Sequence, residues 1–207
     1  MPLDRTVMID AALKLLDEVG LEGLTLRRLA SALDVQAPAI YWHFKNKQEL
    51  LDEMASTALR RGLQGLPPST RMNWEKWALA YGKNMRRIFL NYRDGARMIS
   101  GTRLTDTSLY APMESSLRRL TEAGFSNYQA VVALSTIYSY VVGFVIEEQS
   151  TIGDAFFDLE ARDARIDPAK QPLAREAGKY LFTRYNRRFM DGLRVIIAGL
   201  SIGKQSK

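Results

Sequence analysis

A chain of 207 residues is long enough for one large domain or for a small domain joined to a medium one. With 46% hydrophobic and 25% charged residues, its composition is typical of a soluble globular protein and excludes a disordered or collagen-like chain. It has no cysteine and one histidine, which excludes disulfides, thiolate nucleophiles and zinc sites built from cysteines or several histidines. We therefore expect neither a metal nor a cofactor. The first ten residues lack the apolar run of an export signal, so we also expect a cytoplasmic protein.

The net charge of +6 is unevenly distributed. Residues 1–64 carry 8 Lys/Arg against 9 Asp/Glu, a net charge of −1, whereas residues 65–207 carry 21 against 14, a net charge of +7. Within the first segment, residues 24–48 hold Arg27, Arg28, Lys45 and Lys47 against Asp34 alone. This local excess of positive charge favours an anionic partner.

Apolar residues in the first segment recur at helical spacing and predict four helices. Thr25 is suited to cap the second helix, and Asn46 with Glu49 has the spacing of a capping box before the fourth. The predicted helices are one that ends at Gly20, one over 26–33, one from Ala37 through residue 44, and one over 47–63.

Adjacent prolines at 67 and 68 make residues 65–70 the one strong linker signal. We therefore divide the chain into residues 1–46, a connecting helix over 47–64, and a larger second domain over 73–207. Further helices are predicted over 73–91, from the Asp94-Gly95 break to residue 99, from near Pro112 to Gly124, and over 127–148, 173–185 and 187–200, with 150–171 irregular. Because no strand pattern competes, we predict an all-α fold.

Two short helices joined by a tight turn match a helix-turn-helix. The small side chain of Ala37 would let the second helix approach the floor of the major groove, where Tyr41 or His43 could reach a base edge or a phosphate. Arg27 is long enough for a bidentate pair with guanine, and Lys47 at a helix N-terminus could bind a phosphate. Any small three-helix bundle has a similar pattern, so these residues alone leave the function open.

Residues 20–51, GLEGLTLRRLASALDVQAPAIYWHFKNKQELL, resemble the N-terminal domain of the tetracycline-repressor (TetR) family. Residues 92–97, 101–103, 122–125 and 143–149 resemble the ligand-binding domain of that family. The resemblance implies an N-terminal three-helix helix-turn-helix domain followed by a helical ligand-binding and dimerisation domain. It also implies that Arg27, Ala37, Pro38, Tyr41 and His43 contact bases or sugars, and that Thr25, Tyr41, Trp42 and Lys47 contact phosphates.

Some of these residues have other interpretations. Trp42 and Phe44 could be core aromatic residues, and His43 could read no base. Ala37 stands where the family's tetracycline repressors have a base-reading glutamine, so the operator is expected to differ from theirs.

The same resemblance implies an effector site in the second domain. In the tetracycline repressors of this family, a metal-ligating histidine stands at the position of Ile99, whose side chain offers a cation no lone pair. An asparagine stands there at the position of Tyr81, a phenylalanine at that of Met85, and a second histidine at that of Leu63. Glu147 matches an acid that lies near the metal in those repressors. The candidate effector-binding residues are Leu63, Tyr81, Met85, Ile99, Thr102, Arg103 and Glu147, of which Thr102 and Arg103 could couple effector to DNA. This substitution pattern predicts an apolar or aromatic effector bound without a metal.

The apolar run over 130–146 spans 17 residues, fewer than the ~20 needed to cross a bilayer, so we predict no membrane span. Apolar residues alternate at steps of four and three in this run and again near the C-terminus, as in coiled coils. These seams could form a monomer core or, as the family implies, a four-helix interface of a homodimer, with interface residues Leu134, Ile137, Val141, Phe144, Met190, Leu193 and Ile197.

Together these features predict a ligand-responsive, homodimeric transcriptional regulator. It would be a repressor released from a pseudo-palindromic double-stranded DNA operator by a small apolar or aromatic effector. A transcriptional activator and a ligand-independent or architectural DNA-binding protein are the alternatives. We predict no enzyme activity, because the sole histidine lies in the helix-turn-helix, no phosphate-binding glycine motif occurs, and Glu147 and Glu148 point in different directions on a helix.

Overall fold

A computed structural model describes residues 4–64, 72–151 and 159–204, and all regular structure in these ranges is helical. The predicted all-α fold is therefore confirmed. The helices are α1 (Arg5–Gly23), α2 (Leu26–Ala32), α3 (Ala37–Tyr41), α4 (Lys47–Leu63), α5 (Trp74–Leu90), α6 (Gly95–Ser100), α7 (Tyr110–Glu122, after a 3-10 turn over Thr107–Leu109), α8 (Asn127–Thr151), α9 (Leu159–Asp163), α10 (Pro172–Leu181) and α11 (Tyr185–Lys204). The predicted linker at 65–70 lies outside the described residues.

Side-chain caps fix the starts of the helices that were predicted from capping residues. Thr25 Oγ1 accepts a hydrogen bond from the Arg28 N–H at 3.1 Å, and Asn46 Oδ1 accepts one from the Glu49 N–H at 2.9 Å. The Glu49 carboxylate accepts in turn from the Lys45 N–H at 2.9 Å. The bonds to Thr25 and Asn46 satisfy backbone donors that a helix leaves free at its first turn, and the bond from Lys45 fixes the residue before the Asn46 cap.

Two helix ends in the first segment differ from the prediction. Gly20, with a φ of 71°, breaks α1, but the helix continues for a further turn to Gly23. The third helix was expected to reach residue 44 and instead ends at Tyr41. Its end is closed because the N–H groups of His43 and Phe44 both bond to the Ile40 carbonyl, at 2.9 and 3.0 Å.

The prediction of irregular structure over 150–171 was wrong for residues 159–163, which form α9. Contacts with α10 stabilise this single short helix. Arg162 donates to the carbonyl of Ala174 at 2.8 Å, and its guanidinium lies 5.7 Å from the ring of Phe182. Such contacts between segments are invisible to a local sequence pattern.

The helix α4 joins the two ends of the fold. It packs against α1 on one side and against α5 and α6 on the other. The N-terminal helices enclose buried side chains that include Leu16, Leu29, Ile40, Phe44 and Leu50. The N-terminal helices and the larger part of the chain therefore contact each other through α4, and also through hydrogen bonds between α1 and the bend that joins α5 to α6.

The long helix α8 is the centre of the larger part and packs against α5, α6, α7 and α11. By length and composition alone it could cross a membrane, since its most apolar 18-residue window has a mean hydropathy of 1.7. Core helices of soluble proteins also meet this criterion. Because 28% of that window is buried within the protomer, much of the apolar helix is left for another surface to cover.

Candidate functional site

The second helix of the helix-turn-helix, α3, has one side packed inward and the other exposed. Ile40 and Phe44 are fully buried, so Phe44 is a core residue. Tyr41 is 49% exposed and Trp42 is 88% exposed, so Trp42 does not belong to the core. Two large aromatic side chains exposed next to each other indicate a surface that meets a partner.

Beside this exposed face lies a shallow cleft of about 410 Å³. It brings together four of the residues predicted to contact DNA and adds Lys45 and Asn46, which were not among the predicted contacts. Three cations and no carboxylate occur among its lining residues, which suits a phosphate backbone. The lining residues are Thr25, Leu26, Arg27, Tyr41, Lys45, Asn46 and Lys47.

The ammonium group of Lys47 is held in place by a backbone carbonyl of α1. Its Nζ donates to the carbonyl of Leu21 at 2.6 Å, and the side chain is half-buried. An ammonium has three N–H donors, so two remain for another acceptor. The side chain of Arg28 donates to the carbonyl of Gly23 at 2.9 Å. Arg27, by contrast, is exposed.

A row of polar residues on α4 binds the segment that follows α6. Gln48, Asp52, Ser56 and Arg60 stand four residues apart and so share one face of the helix. Their partners lie in sequence order along residues 101–106. We call this set of contacts the α4 ladder.

The bonds of the α4 ladder involve mainly the backbone of the 101–106 segment. Asp52 Oδ1 accepts from the Arg103 N–H at 3.0 Å, and Ser56 Oγ accepts from the Thr105 N–H at 2.9 Å. Gln48 donates to the Gly101 carbonyl at 3.2 Å. Arg103 thus contributes its N–H to the ladder, and its side chain is exposed.

At the end of the ladder, Arg60 Nε lies 3.0 Å from Asp106 Oδ2. Hydrogen bonds from the side chain and backbone of Ser108 lower the pKa of Asp106, and the charge of Arg60 lowers it further. Asp106 therefore stays ionised as the partner of Arg60. The polar residues of α4 were not among the predicted site residues, although their spacing of four was a usable signal.

Thr102, which was predicted to couple effector to DNA, donates its hydroxyl to the Ile99 carbonyl at 2.8 Å.

Four of the seven predicted effector-binding residues lie at the end of α4, on α5 and on α6, three helices that pack against one another. The other three lie outside these helices, Thr102 and Arg103 in the segment after α6 and Glu147 on α8. Met85 and Ile99 are 4% and 3% exposed, whereas Leu63, Tyr81 and Thr102 are half-buried. The ring of Tyr81 stacks on Trp77 with centroids 5.4 Å apart, and burial, with a smaller contribution from Tyr138, raises the pKa of Tyr81 to about 12. Tyr81 is therefore a neutral hydrogen-bonding group at physiological pH.

Glu147 and Glu148 occupy opposite environments at the end of α8. Glu147 is exposed. Glu148 is 7% exposed and receives two hydrogen bonds from Arg86, at 2.9 Å from Nε and 2.5 Å from Nη2. The guanidinium also donates to Asn186 at 2.8 Å and lies 4.9 Å from the ring centroid of Phe189. This buried ion pair, which was not among the predicted features, joins α5, α8 and α11.

Across the described residues, no group of three or more His, Asp or Glu side chains is placed to bind a metal.

The predicted dimer seam faces partly into the protomer. Ile137, Val141, Leu193 and Ile197 are at most 5% exposed and belong to the protomer's own core. The other three predicted interface residues, Leu134, Phe144 and Met190, are half-buried against that core. The exposed apolar residues of α8 and α11 lie on another face, with Val131 at 44%, Val132 at 38% and Val195 at 73% exposure.

Comparison with known proteins places both parts of the chain in one family. Residues 8–54 match the profile of bacterial regulatory proteins of the tetR family, and residues 66–202 match that of the tetracyclin repressor-like C-terminal domain. The class A tetracycline repressor protein from transposon 1721 of Escherichia coli is 40% identical over 201 residues, which cover 96% of this chain and 91% of the relative.

Solved structures show the same similarity. A single-residue variant of TetR from Acinetobacter baumannii AYE, in complex with minocycline, has a TM-score of 0.78 and 35% identity, with 99% of each chain covered. ActR, a TetR family protein from Streptomyces coelicolor, in complex with (S)-DNPA, has a TM-score of 0.81 and 26% identity, with 98% of this chain and 99% of ActR covered. The chain therefore belongs to the TetR family and is a ligand-responsive, DNA-binding transcriptional regulator.

Proposed function

We propose that the protein is a homodimeric, cytoplasmic repressor without catalytic activity that binds a pseudo-palindromic operator in double-stranded DNA. The observation that carries this proposal is the exposed pair Tyr41 and Trp42 beside a cleft lined by Arg27, Lys45 and Lys47. A symmetric dimer presents two such surfaces, and two recognition helices bind half-sites spaced about one helical turn of DNA apart.

We propose that residues 1–46 bind the operator, that residues 73–207 bind the effector and dimerise, and that the connecting helix transmits the effector signal. The α4 ladder supports this role, because a shift of residues 101–106 would pull on Asp52 and Ser56 through their hydrogen bonds. A rotation of α4 in each protomer then changes the separation of the recognition helices. Since half-sites have a fixed spacing, a change of a few ångströms weakens binding.

The roles proposed for Lys47 and Arg27 give different expected results on DNA. Lys47→Ala should weaken binding to all sequences about equally and reduce the salt slope by about 1, because it removes a phosphate contact. Arg27→Ala should cost roughly 1–3 kcal/mol and relax the preference at one base pair per half-site. Selection from random DNA with wild type and both variants measures this. Equal loss of sequence preference in the two variants would refute these roles, and a wild-type selection without an inverted repeat would refute the operator.

For the effector, we propose an apolar or aromatic molecule bound without a metal. The walls of the effector-binding site would be Leu63, Met85 and Ile99, and Tyr81 would make a polar contact with the effector. Ile99 has no lone pair for a cation, and the neutral hydroxyl of Tyr81 suits a small number of specific hydrogen bonds. Relatives of this fold bind minocycline in one case and (S)-DNPA in another, so the fold accepts different ligands.

Tetracycline with magnesium is therefore expected to leave the protein bound to its operator, although tetracycline repressors are among its relatives. The reason is that Ile99 cannot ligate the metal of a drug chelate and Glu147, the one matching acid, is exposed in the protomer. The measurement is a titration of the protein–operator complex with tetracycline, with and without magnesium, beside the class A repressor as a positive control. Magnesium-dependent release at micromolar drug would contradict the proposed pocket.

A further inference from the structure

The break in α1 is filled by two residues from the bend between α5 and α6. Arg93 Nη1 donates to the carbonyl of Glu18 at 3.0 Å, and Asp94 Oδ2 accepts from the Leu21 N–H at 2.8 Å. A Cβ at Gly20 would lie 3.1 Å from Asp94 Oδ2 and 3.2 Å from Arg93 Nε. Position 20 therefore favours glycine for two reasons, because glycine adopts this positive φ without strain and leaves room for the Asp94 and Arg93 side chains.

The turn of α1 after the break also contacts the DNA-binding surface. Leu21 donates its N–H to Asp94 and accepts at its carbonyl from Lys47 Nζ, at 2.6 Å. A single residue thus lies between a carboxylate of the larger part of the chain and the ammonium proposed to bind a phosphate. Holding the long lysine side chain in this way reduces the conformational entropy that it would otherwise lose on binding DNA.

Asp94 itself is fixed by its surroundings. Its φ is 54°, in the left-handed region, and a Cβ on the next residue, Gly95, would clash with the Phe89 carbonyl oxygen. Gln149, near the end of α8, donates to the Tyr92 carbonyl at 2.7 Å. The position of the Asp94 carboxylate is therefore set by α5, α6 and α8.

We propose that Asp94 is a positioning residue for DNA binding, which acts through Leu21 to place the Lys47 ammonium for an operator phosphate. The inference rests on the proposed operator binding. It adds a second route from the effector-binding part to DNA, which passes through α1 and is separate from the α4 ladder. Displacement of the α5–α6 bend would release Leu21 and with it Lys47.

The test uses two substitutions of Asp94 that both tolerate its positive φ. Asp94→Gly removes the acceptor, and Asp94→Asn keeps an acceptor oxygen. Asp94→Gly should weaken binding to the selected operator and to unrelated DNA alike, by roughly 5- to 10-fold, and reduce the salt slope by about 1. Asp94→Asn should recover most of the affinity. Combined with Lys47→Ala, Asp94→Gly should add little, because both changes remove the same contact.

The matched control is Glu22→Gln, which breaks the exposed ion pair between Glu22 of α1 and Arg97 of α6, 2.8 Å apart and near the Asp94 contact in sequence. This change should leave DNA affinity within twofold of wild type, because exposed ion pairs contribute little. Amide hydrogen exchange at Leu21 in the free protein should accelerate in Asp94→Gly alone. Unchanged affinity in Asp94→Gly, a full additive effect with Lys47→Ala, or an effect limited to one sequence would overturn the proposal. Failure of the wild type to bind an inverted repeat would instead count against operator binding itself.

Discussion

Replacing Glu148 by alanine is expected to lower the free energy of unfolding by about 3–5 kcal/mol, because it leaves the buried guanidinium of Arg86 without its carboxylate. The side chains of the pair are only 12% and 9% exposed, so solvent can compensate little. Arg86 keeps its bond to Asn186 and its contact with the ring of Phe189, but neither partner carries a negative charge. Urea unfolding at one fixed protomer concentration measures the change, since the stability of the proposed dimer would depend on concentration.

The neighbouring acid provides the matched control. Glu147→Ala changes an exposed position on the same helix and should alter stability by no more than about 0.5 kcal/mol. Replacing both members of the buried pair by apolar residues, Arg86→Met with Glu148→Leu, should recover most of the loss, because no unpaired charge remains. A change below about 1 kcal/mol in Glu148→Ala, or a double variant less stable than the single one, would show that the pair is not held as described.

The helices of this fold were largely predictable because their signals are local. Thr25 and Asn46 accept the capping bonds that their positions before apolar runs predicted. Gly124, with a φ of 96°, follows the end of α7 as expected of a glycine after a helix. At Gly20 the signal was correct, since the backbone leaves the helical region there. The turn that follows depends on Asp94, 73 residues away in sequence, and no local pattern contains that contact.

Which face of an apolar helix lies inside was harder to predict. On α8, apolar residues cover several faces, so an alternation of four and three residues selects a seam without showing whether the protomer or a partner covers it. Ile137 and Val141 are buried in the protomer, while Val131 and Val132 are exposed. The contrast between Glu147 and Glu148 has the same origin, because neighbouring helical residues point about 100° apart. The cleft beside α3 was easier to anticipate, since the polar and aromatic residues that line it are close in sequence.

Two residues of α11, two positions apart, differ in exposure and should respond differently to an added charge. Leu193 is fully buried, and a Cβ on Gly82 would lie 2.6 Å from its Cδ2, so it fills the protomer core. Val195 is 73% exposed in the protomer. Leu193→Glu places an unpaired charge in the core and should cost about 4 kcal/mol or more, with loss of folding and dimer together.

Val195→Glu should separate assembly from folding if the exposed apolar face of α8 and α11 is the dimer interface. The charge would be solvated in a single protomer but buried twice in a symmetric dimer, so the dimer dissociation constant should rise by at least about a hundredfold while helical content is retained. Met113→Glu, at a residue of α7 that is 52% exposed, is the control and should leave the dimer intact. Light scattering over a dilution series, with circular dichroism on the same samples, measures both quantities. A Val195→Glu dimer of wild-type affinity would place the interface elsewhere, and a folded Leu193→Glu monomer would show that Leu193 belongs to the interface and not to the core.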